Sequence, residues 1–130
     1  MTTLAYVDAS ALTKLILDEP DSPAMRQWYV ESERVACSVI GIIETRRAAV
    51  RHDHDAAHLE MILRSVVPLD VDDIVAAGSA SVPPVTLRTL DAIHLASAQA
   101  LRPDLSAFVT YDDRLAGAAR AAGLPVVRPA

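Results

Sequence analysis

The sequence of 130 residues is poor in cysteine and has no long apolar segment. Its only cysteine, Cys37, cannot form an internal disulfide, which fits the reducing conditions of a cytoplasm. Cys37 lies in a short strand-like run, a position more typical of a small core residue than of a nucleophile. No apolar run approaches the ~18 residues that a membrane-spanning helix needs, and no basic region followed by an apolar one marks a secretory signal at the N-terminus. We therefore expect a cytoplasmic protein that does not enter a membrane.

Basic charge is also scarce. The formal net charge is −5, and Lys14 is the only lysine beside eleven arginines. This balance argues against a broad basic surface that binds nucleic acid by charge alone, and no basic recognition helix suggests a DNA regulator. A nucleic-acid enzyme is still compatible with the charge, because carboxylates around a metal count as negative while the bound cation reverses the local field.

Hydrophobic residues are abundant, at 52% of the chain, which argues against a disordered protein. Strand-like runs occur at 4–8, 35–38, 66–69, 106–110 and 125–128. Helical patterns occur between them, at 10–17, 22–32, 39–52, 54–64, 72–81, 90–101 and 113–122. Short apolar strands that alternate with helices indicate a parallel sheet covered on both faces. With no repeat, low-complexity tract or linker, the pattern predicts a single α/β domain over residues 1–130.

The first strand-like run ends in a charged residue, Asp8. Burying a carboxylate without a partner is expensive, and Ser10 can cap the following helix by itself. In open parallel sheets, ligands bind outside the carboxyl ends of the strands, near the point where the strand order reverses. Asp8 is therefore a candidate ligand-binding residue.

A second acid, Glu44, interrupts an apolar helical stripe in the segment SVIGIIETRRAAV. An ion pair with Arg47, three residues on, is the simple structural explanation. A third acid, Asp91, opens the apolar helix TLDAIHLASAQAL. Thr89 can cap that helix and an acid in the first turn suits the helix dipole, but neither explains why the surrounding helix is so apolar.

The remaining acids of interest are the adjacent Asp112 and Asp113 in FVTYDDRLAGAARAAG. One of them suffices as a helix cap, and Thr110 offers a hydroxyl beside them. Each acid has a structural explanation when it is taken alone. Together they can meet at one edge of a parallel sheet, where clustered carboxylates repel each other unless a cation joins them. A set of oxygen ligands without cysteine favours Mg²⁺ or Mn²⁺ over zinc.

In their order along the chain, these segments resemble the signatures of PIN-domain ribonucleases, and among them the VapC-like toxins of bacterial toxin–antitoxin modules. The resemblance covers essentially the whole chain and rests on YVDASALTKL, SVIGIIETRRA, TLDAIHLASA and FVTYDDRLAGAARAAGLPVV. It implies a three-layer α/β/α fold with a five-stranded parallel sheet. It also implies a metal-dependent endoribonuclease, in which one or two Mg²⁺ or Mn²⁺ ions activate water for in-line attack on an RNA phosphodiester.

The resemblance also assigns roles to individual residues. The metal ligands and catalytic acids are Asp8, Glu44, Asp91 and Asp112. Asp112 is preferred to Asp113 because it matches the family's T-x-D spacing from Thr110. The hydroxyls of Ser10 and Thr110 are expected to orient ligands or metal-bound water.

Partners also follow from the resemblance. Such toxins are held inactive by a small antitoxin whose C-terminal segment covers the active-site groove, and an acidic groove suits an antitoxin that inserts Arg or Lys. We also expect a homodimer or a larger toxin–antitoxin assembly. The RNA target cannot be read from the sequence.

Several side chains keep two interpretations. His94 is a residue that approaches the substrate or, as we prefer, a packed core histidine. Arg46 and Arg47 contact phosphate or form ion pairs. His54 and His58 are four residues apart, a spacing that fits a metal-binding pair on a helix. We prefer the interpretation that they lie on a solvated face. Trp28 and Tyr29 belong either to the core or to a groove for a partner helix.

Two other functions compete with the ribonuclease. A different metal-dependent phosphoryl hydrolase would place two acids as D-x-D after the first strand, whereas this chain has Asp8-Ala9-Ser10. A non-catalytic binding domain would use the acids only as caps and ion pairs, and metal would then leave its melting temperature unchanged.

Overall fold

The computed structural model describes residues 3–130. Over this range the sheet has five strands, namely β1 (Leu4–Val7), β2 (Val35–Ser38), β3 (Val67–Leu69), β4 (Leu105–Val109) and β5 (Val126–Val127). Seven helices are described, namely α1 (Ala9–Ile16), α2 (Ser22–Glu31), α3 (Val39–Ala49), α4 (Ala56–Ser65), α5 (Asp73–Ser81), α6 (Thr89–Gln99) and α7 (Asp113–Ala121). Every predicted strand and helix is present, with ends displaced by three residues or fewer.

All strand pairs are parallel, and the strand order is β3-β2-β1-β4-β5. This confirms the predicted α/β fold with a five-stranded parallel sheet. The chain builds outward from β1 through β2 to β3, then crosses to the other side of β1 to form β4 and β5. The order therefore reverses between β1 and β4, where ligands bind in folds of this type.

Two hydrophobic clusters stabilise the sheet through burial of apolar surface. The first joins β1 and β2 to α1, α2 and α4, and the second joins Tyr6 and Phe108 to α6 and α7. The Tyr6 and Phe108 rings are stacked, with centroids 5.4 Å apart. Cys37 is fully buried in the first cluster, and burial raises the pKa of its thiol, so it is the core residue that the sequence predicts.

The helix caps differ from the sequence expectation. Asp8, not Ser10, caps α1, because its side chain accepts a hydrogen bond from the Ala11 N–H. Thr89 does not cap α6: the cap position is Arg88, which makes no side-chain cap bond. Asp91 is therefore the acid of a first turn without a side-chain cap.

Two histidines and two aromatics can now be placed. His54 precedes α4, and His58 Nε2 lies 2.8 Å from the Leu15 carbonyl oxygen, so they form neither a helical metal pair nor a solvated face. Trp28 and Tyr29 pack partly buried against the first hydrophobic cluster.

Among the described helices, none is both long enough and apolar enough to cross a membrane.

Candidate active site

Three of the four predicted acids line one cavity at the carboxyl edge of the sheet. Glu44 comes from α3, Asp91 from the first turn of α6, and Asp112 from the residue that precedes α7. Their cavity has a volume of about 320 Å³, and its other walls are Arg88, Thr89 and Leu90. The fold thus brings together carboxylates that are up to 68 residues apart in the chain.

The fourth acid, Asp8, is buried at the end of β1, with 4% of its surface exposed. Its Oδ1 accepts hydrogen bonds from Ser10 Oγ at 2.6 Å and from the Ala11 N–H at 3.0 Å, and its Oδ2 accepts one from Thr110 Oγ1 at 2.6 Å. Burial raises the pKa of Asp8, whereas His94 and these hydrogen bonds act in the opposite direction. Three neutral donors orient the carboxylate without neutralising it.

Ser10 and Thr110 join the ends of the neighbouring strands β1 and β4. Ser10 Oγ donates to Asp8 and accepts from the Tyr111 N–H at 2.8 Å. Thr110 Oγ1 donates to Asp8 and accepts from the Asp112 N–H at 3.0 Å. The hydroxyl of Thr110 therefore links a buried acid to the backbone of an acid in the cavity wall.

Asp91 is the acid with the fewest partners. Its carboxylate makes no hydrogen bond or ion pair within residues 3–130. Burial raises its pKa first, and repulsion by Asp112 and then by Asp8 adds to the shift, while His94 and Arg88 oppose it. Asp91 is therefore close enough to both Asp112 and Asp8 to be repelled by each of them.

The side chains of Asp112 and Asp113 lie in different surroundings. Asp112 Oδ1 caps α7 by accepting from the Leu115 N–H at 2.9 Å, and the residue lines the acidic cavity. The Asp113 side chain is 87% exposed and pairs with Arg128. The geometry therefore favours Asp112 as the fourth acid, the choice made from the T-x-D spacing.

Glu44 pairs with a histidine instead of with Arg47. His94 is buried in α6, and its Nε2 lies 2.7 Å from Glu44 Oε1. His94 Nδ1 lies 2.6 Å from the Tyr6 hydroxyl. His94 is thus the hydrogen-bonded core residue that we preferred, and it is also attached to the candidate site.

The donor chemistry of these acids fits a hard divalent cation. Asp91 has two oxygens without a partner, and Glu44 and Asp112 each use only one oxygen in the hydrogen bonds found within residues 3–130. Carboxylate oxygens are the ligands that Mg²⁺ and Mn²⁺ prefer. In the part of the chain that the structure describes, no three or more His, Cys, Asp or Glu side chains already converge on one point. The carboxylates would therefore have to turn toward a bound ion.

Arginines flank the acids on two sides. Arg47 and Arg51 line a cavity of about 370 Å³ that also includes Glu44 and Ser10. Arg88 and Arg114 line a larger cavity of about 710 Å³ that reaches Asp91. These four arginines form no salt bridge within residues 3–130. Arg46 instead pairs with Glu60, which favours the ion-pair interpretation of Arg46 over contact with phosphate.

Sequence reasoning missed Tyr6, Arg51, Arg88 and Arg114. Tyr6 resembles any aromatic residue of a buried strand, and only the contact with His94, 88 residues away, attaches it to the site. The three arginines have no local pattern that separates them from solvated surface residues.

Comparison with known proteins identifies the family of this chain. The family model described as "PIN domain" matches residues 5–121. Ribonuclease VapC47 of Mycobacterium tuberculosis (strain CDC 1551 / Oshkosh) is 35% identical, and the match covers 97% of each chain. Ribonuclease VapC46 of M. tuberculosis (strain ATCC 25618 / H37Rv) is 37% identical, over 95% of this chain and 96% of that protein.

A solved structure shows the same fold. The crystal structure of M. tuberculosis VapC20, a sarcin–ricin-loop-cleaving toxin, superposes with a TM-score of 0.73 at 17% sequence identity. The match covers 98% of this chain and 100% of that one. At this identity the likeness concerns the fold.

Proposed function

Because this chain belongs to the PIN domain family, we propose that it is a metal-dependent endoribonuclease that acts as the toxin of a toxin–antitoxin module in the cytoplasm. The observation that supports the proposal best is the shared cavity of Glu44, Asp91 and Asp112, with Asp8 fixed behind it. Similarity to ribonucleases along nearly the whole chain supports the reaction class.

We propose that these four carboxylates hold one or two Mg²⁺ or Mn²⁺ ions. Such an ion, when bound, lowers the pKa of water and offsets negative charge on the phosphodiester. Asp91 is the ligand with the fewest competing contacts, since both of its oxygens are free of partners in the described residues. Asp8 is held in one orientation by Ser10 and Thr110, which lowers the entropic cost of using it as a ligand.

The arginine-lined cavities on either side of the acids suit the phosphates of an RNA strand. A guanidinium binds phosphate through two parallel hydrogen bonds, and an arginine without an ion pair is free to do so. The strand would pass from the cavity of Arg47 and Arg51, across the acids, to the cavity of Arg88 and Arg114. An acidic protein can therefore bind RNA locally.

The same acidic cavity suits an antitoxin. Three clustered carboxylates attract an inserted Arg or Lys side chain, which would also occupy the place of the metal. We propose neutralisation by such a partner, and a homodimer or larger toxin–antitoxin assembly. A non-catalytic binding domain is the competing proposal, since Asp8 and Asp112 both cap helices.

The deciding experiment is cleavage of a total RNA pool by the purified chain in Mg²⁺ or Mn²⁺, with chelator and Asp8→Asn as controls. The ribonuclease proposal expects discrete fragments that require both metal and Asp8, and their ends would identify the target. A denaturing purification step removes any copurified antitoxin before refolding. Refolded protein that leaves RNA intact and whose melting temperature does not respond to metal would favour the binding domain.

Two adjacent arginines test the RNA path. We expect Arg47→Gln to raise KM for RNA several-fold and to reduce the dependence of binding on salt, because about one phosphate contact is lost. Arg46→Gln is the matched control, since Arg46 pairs with Glu60 on the outer surface. Equal KM values for the two variants would contradict the proposed path.

A further inference from the structure

A buried chain of hydrogen bonds connects the middle of the sheet to one acid of the cavity. The backbone N–H of Ser38 donates to the Tyr6 hydroxyl at 3.1 Å. The hydroxyl lies 2.6 Å from His94 Nδ1, and His94 Nε2 lies 2.7 Å from Glu44 Oε1. Tyr6 and His94 are buried, whereas Glu44 reaches the cavity wall. The chain therefore runs from the core to the surface of the candidate site.

The direction of each hydrogen bond follows from its partners. The Tyr6 oxygen accepts from the Ser38 N–H, and its own proton is directed to His94 Nδ1, which lies 2.6 Å away. A ring nitrogen that accepts a hydrogen bond has no proton, so the proton of a neutral His94 lies on Nε2. Nε2–H then donates to the Glu44 carboxylate. Tyr6 thereby fixes the tautomer that His94 needs in order to hold Glu44.

The imidazole of His94 can reach Glu44 because α3 and α6 approach each other closely at Gly41. A Cβ atom on Gly41 would lie 2.7 Å from His94 Cε1 and 2.4 Å from Cys37 Sγ. Gly41 is three residues before Glu44 on the same helix. Only glycine leaves space there for the imidazole ring to pass beneath α3 and reach Glu44.

We propose that Tyr6 and His94 are positioning residues, which hold the Glu44 carboxylate at the wall of the cavity with one oxygen, Oε2, left for the metal site. The expected effect on metal binding rests on the proposed function. The positioning of Glu44 itself rests only on the chain of hydrogen bonds. Partners of this kind affect metal affinity about 10- to 100-fold in known metal sites.

The first test measures the two ring nitrogens of each histidine by long-range ¹H–¹⁵N NMR of the metal-free chain. We expect His94 to show an unprotonated Nδ1 and a protonated Nε2. His54, whose Nδ1 lies 3.0 Å from a carbonyl oxygen, is the internal reference for a protonated Nδ1. A His94 with a proton on Nδ1 would overturn the proposal.

The second test measures Mn²⁺ affinity by titration calorimetry. Tyr6→Phe keeps the stacked ring but removes the hydroxyl, and we expect Mn²⁺ affinity to fall about 10-fold. Tyr29→Phe removes a tyrosine hydroxyl that bonds with Ser65 of α4, and it should leave the affinity unchanged. Equal affinities for these two variants would overturn the proposal.

Two substitutions of His94 separate positioning from packing. Gln places an amide N–H near the former Nε2 and can still donate to Glu44, whereas Asn places its amide near the former Nδ1 and cannot. We expect Mn²⁺ affinity to be higher in His94→Gln than in His94→Asn, and the reverse order would overturn the proposal. If the unmodified chain binds no Mn²⁺, the proposed metal function fails, and the ring nitrogens still decide whether the hydrogen-bond chain exists.

Discussion

The segments that follow β3 and β4 are nearly the same in local structure and differ in what surrounds them. In each, an aspartate three residues after the strand caps the next helix, Asp72 for α5 and Asp112 for α7. Each accepts a hydrogen bond of 2.9 Å from the backbone three residues on, and each is followed by a second aspartate. Yet β3 is an edge strand and β4 lies beside β1. Only Asp112 therefore shares a cavity with Glu44 and Asp91.

The comparison shows that a helix cap and a candidate metal ligand are not alternatives. The cap occupies one oxygen of Asp112, and the strand position decides whether the rest of the carboxylate meets other acids. Asp72, two strands away from β1, has the cap alone. The difference in surroundings between the two aspartates is set by sheet topology, and with it the difference in function that we propose.

The largest difference between Asp72 and Asp112 is expected in the rate of RNA cleavage when the charge of each is removed in a separate variant. Asparagine caps helices as well as aspartate does, so Asp72→Asn and Asp112→Asn should both fold. We expect Asp112→Asn to lower the rate of metal-dependent RNA cleavage about 100-fold or more, since loss of a ligand should cost at least as much as loss of an outer partner. Asp72→Asn should cleave at the unmodified rate. Equal rates in a cleavage assay would break the comparison.

A smaller effect is expected from the residue directly after β4. Thr110→Val removes the donor to Asp8 Oδ2 and the acceptor for the Asp112 N–H. We expect the free energy of unfolding to fall by about 1–3 kcal/mol, and Mn²⁺ affinity to fall about 10-fold. Thr110→Ser, which keeps the hydroxyl, is the matched control. Asp70, the corresponding residue after β3, is exposed, and Asp70→Asn should change neither quantity.

The subtlest expectation concerns pH and the buried Asp8. Because burial raises its pKa in the folded chain above the ordinary value of 3.8, the ionised carboxylate disfavours folding. In chelator, Asp8→Asn should therefore be more stable than the unmodified chain at neutral pH. The advantage should shrink as the pH falls through the folded-state pKa and vanish below the unfolded value. Denaturant melts across this range test the sign, and an advantage that is constant with pH would contradict it.

Much of the fold could be predicted from the sequence because its signals are local. Apolar runs and helix periodicity located all strands and helices, and the alternation of the two indicated a parallel sheet. Ser10 and Thr89 were possible caps, but Asp8 caps α1 and no side chain caps α6. Local sequence does not show which of them has a better partner elsewhere, as Ser10 has in the Tyr111 N–H.

The four candidate acids were also predictable, since charges at strand ends and within apolar helices are unusual. Their surroundings were not. An ion pair with Arg47 was one explanation for Glu44, which instead contacts His94, 50 residues away. Such contacts depend on which strands are neighbours in the sheet. Local sequence patterns do not reveal this strand order.

The most direct test of the proposed metal site is thermal melting of the chelator-treated chain before and after addition of Mn²⁺. Linkage gives a stabilisation of about 2.7 kcal/mol when the ion is present at 100 times its Kd. We expect Mn²⁺ to raise the melting temperature of the unmodified chain and of Asp72→Asn alike, and to leave that of Asp8→Asn unchanged. A rise of the same size in Asp8→Asn, or no rise in the unmodified chain, would contradict this expectation.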